Sequence, residues 1–189
     1  MGFLTREKIE LLGFNYVGEN VKISENAIFY NHANISIGDY TRIDDFCIIS
    51  AGKGGVFIGR FVHIAPYSSL QGMGKIVMED FSGLSSKVSI YSSSDDYSGR
   101  YLTNPCVSEK YTNVLHGRVL LKKHVIVGVG SSILPNVEIG EGSAIGAFTL
   151  VNKDIPKGVV AVGVPAKVKY NRDSKVFELE NIFLESLLK

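Results

Sequence analysis

The sequence predicts a mainly β chain: a parallel β-helix of six-residue repeats, interrupted by one long loop and closed by a helix at each end. Three observations predict it. Aliphatic residues recur at every sixth position over long stretches. There are 20 glycines against 5 prolines and no tryptophan, a composition that suits short strands separated by tight corners. A polar, tyrosine-rich segment between Val88 and Leu121 stops the beat.

Taken in chain order, the first element is a short helix within residues 1–13. Thr5 is placed to cap it, Ile9, Leu11 and Leu12 form its apolar face, and Gly13 ends it. It is expected to cover one end of the coil stack. The β-helix is expected over 21–168. Its first phase is led by Ile37, Ile43 and Ile49 in IGDYTR and IDDFCI, with slips between Ile23 and Ile37 and at the KGG of 53–55. A second phase is led by Ile58, Ile64, Leu70 and Ile76. There Ser82 breaks the rule and Val88 restores it. From Leu121 the leaders run Val127, Ile133, Ile139, Ile145 and Val151 without a fault. A period of six is neither the helix nor the strand period. It fits a short strand plus a corner repeated around a triangular coil, with each leader pointing inward. No coil buries its own face alone, so the coils must stack.

The loop, 91–118, is long, polar and aromatic. Its tyrosines (91, 97, 101 and 111) argue for a folded excursion, and a long loop inside a compact repeat is usually functional. Last comes an amphipathic helix over 174–188. Val176, Leu179, Phe183 and Leu187 form one face, flanked by Phe177, Leu184 and Leu188. Together these make a single domain, 1–189.

Bulk numbers exclude several classes. Net charge is +1 with 21% charged residues and no basic block, which argues against a nucleic-acid or anionic-membrane surface. Cys47 and Cys106 stand far apart with no CxxC spacing, so neither a disulfide framework nor a cysteine zinc site is expected. No apolar run approaches membrane-spanning length. The expectation is a cytoplasmic protein without an integral membrane segment.

The segment from about 37 to 168 resembles the hexapeptide-repeat sugar acetyltransferases, the galactoside and maltose types among them. The ending IGAFTLVNKDIPKGVVAVGVPAKV carries the likeness through its IGA, KDIP and GVPAK elements. DDYSG and TNP resemble acetyltransferases of surface-polysaccharide synthesis. The resemblance implies a left-handed parallel β-helix, a homotrimer, and acetyl-CoA bound in a cleft between subunits with a saccharide acceptor near the loop. No metal is required. The implied reaction is O-acetylation of a sugar or polysaccharide (O-antigen or capsule) precursor. The alternative is N-acetylation of a nucleotide-linked amino sugar. For the cofactor it implies a backbone contact at Ala147, basic residues at Lys153 and Lys167, and further contacts at Val129 and Asn152.

Transfer to a hydroxyl needs a base and donors for an oxyanion. The resembled enzymes carry a loop histidine in a stretch like IYTATH. Here IYSSSD puts Asp95 at that position. Three bases therefore compete: Asp95 itself, His63 paired with Asp95 or Asp96, and His116 at the return of the loop. Asp95, Asp96 and Arg100 are candidate acceptor-binding residues. His32 and His124 are read as structural. Two other classes are compatible with a β-helix. A γ-class carbonic anhydrase would need three histidines on zinc, nominally His63, His116 and His124. A non-catalytic scaffold would need no loop.

Overall fold

The computed structural model describes residues 2–187. Leu188, expected beside the apolar face of the C-terminal helix, lies outside them. Three parallel faces wind as a left-handed β-helix of about seven coils. Face one runs from Tyr16–Val17 to Val137–Ile139, face two from Lys22–Ile23 to Val159–Val162, and face three from Ile28–Tyr30 to Leu150–Val151. Strands pair from coil to coil. Ile37 lies against Ile58, Ile43 against Ile64, and Ile49 against Leu70. The six-residue beat is therefore one inward residue per face. All the leaders with aliphatic side chains are buried, and they form one continuous core.

The frame differs from the expectation at one place. Met78, Leu84 and Ile90 pair with Ile58, Ile64 and Leu70. The connection through Gly72–Met73–Gly74 is two residues longer than a hexad, so the inward residue is Leu84. Ser82 breaks no rule, because it is not a leader. The β-helix also starts earlier than expected, at Tyr16. It ends in an antiparallel hairpin of Val159–Val162 with Lys167–Asn171.

The corners differ in kind. The first corner, between faces one and two, turns through left-handed residues Tyr40, Phe61, Phe81 and His124. An L residue in that conformation is strained by sterics alone. Here the rings repeat once per coil, near the ~4.8 Å strand spacing, and stack at centroid distances of 4.9, 4.8 and 5.1 Å. The second corner carries Phe46, Tyr67, Lys87, Gly130 and Phe148. The third takes every insertion: the turn at His32–Asn34, Gly52–Gly55, Gly72–Lys75 and the long loop.

Helix α1, Arg6–Leu11, is capped by Thr5, whose hydroxyl accepts from the Lys8 amide at 3.3 Å. Ile9 alone of its residues is buried, sealing the first coil. Leu11 is 87% exposed, so the expected three-residue apolar face is wrong: so short a helix turns one residue inward. Helix α2, Lys175–Ser186, lies over the first corner. Phe177 meets His124 edge-on, and Phe183 meets Phe61. Its one fully buried residue is the charged Glu180; of the expected packing face Val176 is half-buried and Phe183 packs on Phe61 and Phe81, while Leu179, Phe183 and Leu187 keep part of their surface exposed. The carboxylate of Glu180 takes Lys123 at 2.5 Å and His124 at 2.7 Å. Among the described residues no helix is long and apolar enough to cross a membrane.

Candidate functional site

The long loop leaves face three after Tyr91. Its neck is tied by a short antiparallel pair, Ser93–Ser94 with Leu115–His116. Further out, Leu102 bridges Thr112. Asp96 folds the tip. It accepts from the Ser98 amide at 2.7 Å, from the Ser98 hydroxyl, and from Asn113 at 3.0 Å. These hydrogen bonds, first that of the Ser98 side chain, hold its carboxyl below the ordinary value. Asp96 thus orders the loop, and Arg100 is not among the residues that line the cavity beneath it, its Nε lying 3.3 Å from the Ser98 hydroxyl.

Between the loop and the third corner is a cavity of about 910 Å³. The third-corner insertions form its floor through Gly52, Lys53 and Met73, and the loop forms its wall through Asp95, Asn104 and His116. His116 Nδ1 is 2.8 Å from Ser93 Oγ, and that oxygen accepts from the Met73 amide at 2.7 Å. The Asp95 side chain is exposed and has no hydrogen-bond partner among the described residues. One cavity therefore holds a tethered imidazole and an uncommitted carboxylate.

His63 is elsewhere. It lies on the outer side of face two, in His63–Ile64. Within one chain it is not paired with Asp95 or Asp96 as expected, because its Nε2 is 2.8 Å from Asp44. The second Asp44 oxygen takes Arg42 Nε at 2.6 Å. Burial alone would push the Asp44 carboxyl up, and the hydrogen bonds from Arg42 and His63 outweigh it and hold it below its ordinary value. His124 is buried against Glu180, and His32 packs on Phe14. The chain thus does not bring His63, His116 and His124 together. Cys47 is buried, and burial raises its thiol to about 11, which removes it as a nucleophile.

The residues expected at the cofactor divide between two corners. Val129 and Ala147 lie on consecutive coils of the second corner, where the Phe148 amide donates to the Val129 carbonyl at 2.8 Å. Asn152 and Lys153 lie past the other edge of face three, at the third corner, and Lys167 opens the final hairpin. Within one chain these five do not form one patch. Sequence reasoning missed Asp44, Ser93 and Ser85. Asp44 sits in IDDFCI, where the hexad explains it as a corner residue. Ser93 is one of three consecutive serines. Ser85 turns the second corner one coil before Val129, and its hydroxyl has no partner among the described residues.

No family model matches the chain. Its sequence is 50% identical over 188 residues to the dTDP-4-amino-4,6-dideoxy-D-glucose acyltransferase of Escherichia coli, spanning all of this chain and 98% of that protein. It superposes on AntD, an N-acyltransferase from Bacillus cereus solved with dTDP and 3-hydroxybutyryl-CoA. The TM-score is 0.93 and the identity 44%, over 99% of this chain and 98% of that one. A variant of AntD with dTDP-4-amino-4,6-dideoxyglucose and coenzyme A gives a TM-score of 0.94 at 46% identity, over 97% of each chain. A putative lipopolysaccharide O-acetyltransferase of Escherichia coli is 27% identical over 152 residues, 77% of this chain and 74% of that one. The full-length likeness is thus to acyltransferases of an amino sugar. This overturns sugar O-acetylation as the main expectation and favours the alternative, acylation of a nucleotide-linked amine.

Proposed function

The chain belongs to the hexapeptide-repeat acyltransferases, and from that premise we propose that it moves an acyl group from a coenzyme A thioester to the amine of a dTDP-linked 4-amino-4,6-dideoxy sugar. The observation that carries the reading is the cavity beneath the loop, where Asp95 stands without a partner beside His116. An amine arrives largely as an ammonium ion, and a free carboxylate suits that charge.

The chemistry follows from these groups. Asp95 receives and orients the ammonium. We assign His116, whose Nδ1 is 2.8 Å from Ser93 Oγ, the tautomer that donates Nδ1–H to that oxygen, which leaves Nε2 free to accept a proton; Ser93 Oγ also accepts from the Met73 amide. His116 Nε2 takes a proton from the ammonium, and the neutral amine attacks the thioester carbonyl to give a tetrahedral oxyanion. Its collapse breaks the C–S bond, the nitrogen gives its second proton to the departing sulfur, the amide and the coenzyme A thiol leave, and the imidazolium returns its proton to solvent. Val129 and Ala147 at the second corner are assigned to the pantetheine arm, with Lys153 and Lys167 toward the coenzyme A phosphates. Ser85 is assigned as donor to the developing oxyanion.

These groups sit on two corners, so the site is completed by a neighbour. Face three lies between those corners, and its outward residues are uncharged: Ile28, Ile48, Ser69, Ser89, Ser132 and Leu150 on one row, and Tyr30, Ser50, Gln71 and Tyr91 on the other. Depletion of charge is the mark of an interface core. We assign this face to a homotrimer that brings the second corner of one subunit to the loop of the next, working in the cytoplasm, where acyl-CoA is made.

The test is thiol release from acetyl-CoA and from 3-hydroxybutyryl-CoA with dTDP-4-amino-4,6-dideoxyglucose, against maltose and a galactoside as acceptors. Release with the amino sugar alone is expected. Release only with the plain sugars would overturn the proposal. Sedimentation analysis reads the trimer separately.

A further inference from the structure

The β-helix itself has no need of the insertion at Gly72–Met73–Gly74. A later coil turns the same third corner, from Ile133 to Ile139, in a plain hexad. What the insertion touches is the neck of the long loop. The Met73 amide donates to Ser93 Oγ at 2.7 Å, and that oxygen stands 2.8 Å from His116 Nδ1. Ser93 and His116 face each other in an antiparallel pair only two residues long. So short a pair does not hold itself together in water. His116 is exposed, and among the described residues its ring has no other hydrogen bond. Its position therefore depends on what the neck rests on.

The neck rests backbone on backbone. A Cβ on Gly74 would come within 2.8 Å of the Ser92 carbonyl oxygen and 2.9 Å of the Gly117 carbonyl carbon, nearer than real Cβ atoms come. Gly74 is not left-handed, so its own conformation does not call for glycine. The demand comes from the loop above it. Gly72 is pressed in the same way. Its Cβ would stand 2.7 Å from the Ser93 nitrogen, and its φ of +129° also favours glycine. On the far side, the residue after His116 is the buried Gly117, whose Cβ would lie 2.7 Å from the Asn136 nitrogen. The return of the loop is thus clamped between Gly74 and Asn136. From below, the Gly52 and Gly54 amides donate to the Gly72 and Met73 carbonyls at 3.0 and 2.9 Å, which fixes the insertion on the coil before it.

From this geometry we infer that Gly72–Met73–Gly74 is the seat that sets His116 for proton transfer. Gly72 and Gly74 are positioning residues, which act through Ser93 and His116. The inference rests on His116 as the base of the reaction proposed above. It gives the phase slip of this coil a task. The two extra residues bring a backbone amide to Ser93 and leave no side chain between the corner and the neck.

The test is a double-variant cycle on the full-length protein. Thiol release is followed with dTDP-4-amino-4,6-dideoxyglucose and whichever of acetyl-CoA and 3-hydroxybutyryl-CoA turns over faster. Gly74→Ala is expected to lower kcat about 10²-fold, the usual cost of a misplacement near 1 Å, with KM for the acyl-CoA unchanged. In a His116→Ala background the same change should cost nothing further, because no imidazole is left to misplace. Gly140→Ala is the steric control. At the first corner its Cβ would meet Lys157 Cα at 2.7 Å, and Gly140 is not left-handed either. It should lower the melting temperature and leave kcat as it was. If Gly74→Ala does not fold, Ser93→Ala runs the same cycle without added volume, with a loss of about tenfold for one hydrogen bond. Wild-type kcat in the folded variant overturns the seat. So does an equal loss with and without His116, or a comparable loss in Gly140→Ala. Wild-type kcat in His116→Ala overturns the base and the seat with it, and leaves acyl transfer to the amino sugar standing. No thiol release by the wild-type protein with the amino sugar overturns the proposed function itself.

Discussion

The first and third corners are built on one repeat and serve opposite ends. At the first corner every coil turns through a single left-handed residue, the rings stack, and α2 covers them. Its charged groups are matched: Glu180 takes both Lys123 and His124, and Arg172 donates to the carbonyls of His124 and Gly142 at 3.0 and 3.1 Å. At the third corner the turns are of unequal length, glycine-rich, and open into a loop whose Asp95 is uncommitted. A solenoid can make such a division because each coil depends only on its neighbours. Irregularity confined to one edge leaves the other two in register.

The largest effect is expected at the third corner, where the proposed reaction takes place. His116→Ala should lower kcat by about 10²–10⁴-fold, the usual range for a general base. Asp95→Asn should act mainly through KM for the amino sugar. Neither should move the melting temperature, since both side chains lie at the rim of a cavity. If His116→Ala unfolds the protein while retaining turnover per folded molecule, the contrast between a stabilising corner and a working corner fails.

The first corner should respond the other way. Glu180→Ala leaves Lys123 without its counter-charge and His124 without its hydrogen-bond partner. Breaking a fully buried pair costs about 3–5 kcal/mol, and Lys123 is one-third exposed, so about 2 kcal/mol is expected here. Activity at low temperature should persist. The same carboxylate sets an acid limit. Its environment holds it below its ordinary 4.5: burial pushes it up, and Lys123 and His124 outweigh that. The unfolded chain therefore binds the proton first as pH falls. The stabilisation is complete above about 4.5 and is lost as pH drops below it. Melting temperature followed from pH 6 to 3 should fall more steeply in the wild type than in Glu180→Gln.

Much of this division was legible in the sequence. The leaders reveal the three faces because inward positions tolerate little but aliphatic residues, and the loss of the beat marks the loop. The phase slip at Gly72–Lys75 was not legible: Ile76 is buried as the first inward residue of its strand, so it imitates a leader. Reading through it made Ser82 a fault and hid Leu84. Glu180 was hidden for a different reason. The helix packs on aromatic edges and one ion cluster, so a charged residue takes its most buried place, and the apolar stripe that was visible, Leu179 to Leu187, faces the β-helix but is only partly covered. The site was half legible. Asp95 and His116 stand out by type in an anomalous segment. Ser93 and Asp44 act through contacts between coils, about twenty residues apart in sequence, and no local pattern carries that.

The smallest effect should separate the corners most finely. Ser82 follows Phe81 at the first corner, and its buried hydroxyl is without a hydrogen-bond partner among the described residues. A buried polar group left unpaired costs about 1–3 kcal/mol of desolvation. Ser82→Ala removes that cost and one small atom, and the cavity it leaves is too small to cancel the gain. The variant should be more stable by about 1 kcal/mol, the lower end of that range. Leu84→Ala, two residues on, should cost about 2–5 kcal/mol as the true inward position of the coil. Chemical denaturation of the two variants reads both values. A destabilised Ser82→Ala with a near-neutral Leu84→Ala would mean that the frame of this coil is the one the unslipped hexad implies. Stability gained at Ser82 and lost at Leu84 would place the slip at the third corner, with every other irregularity of the chain.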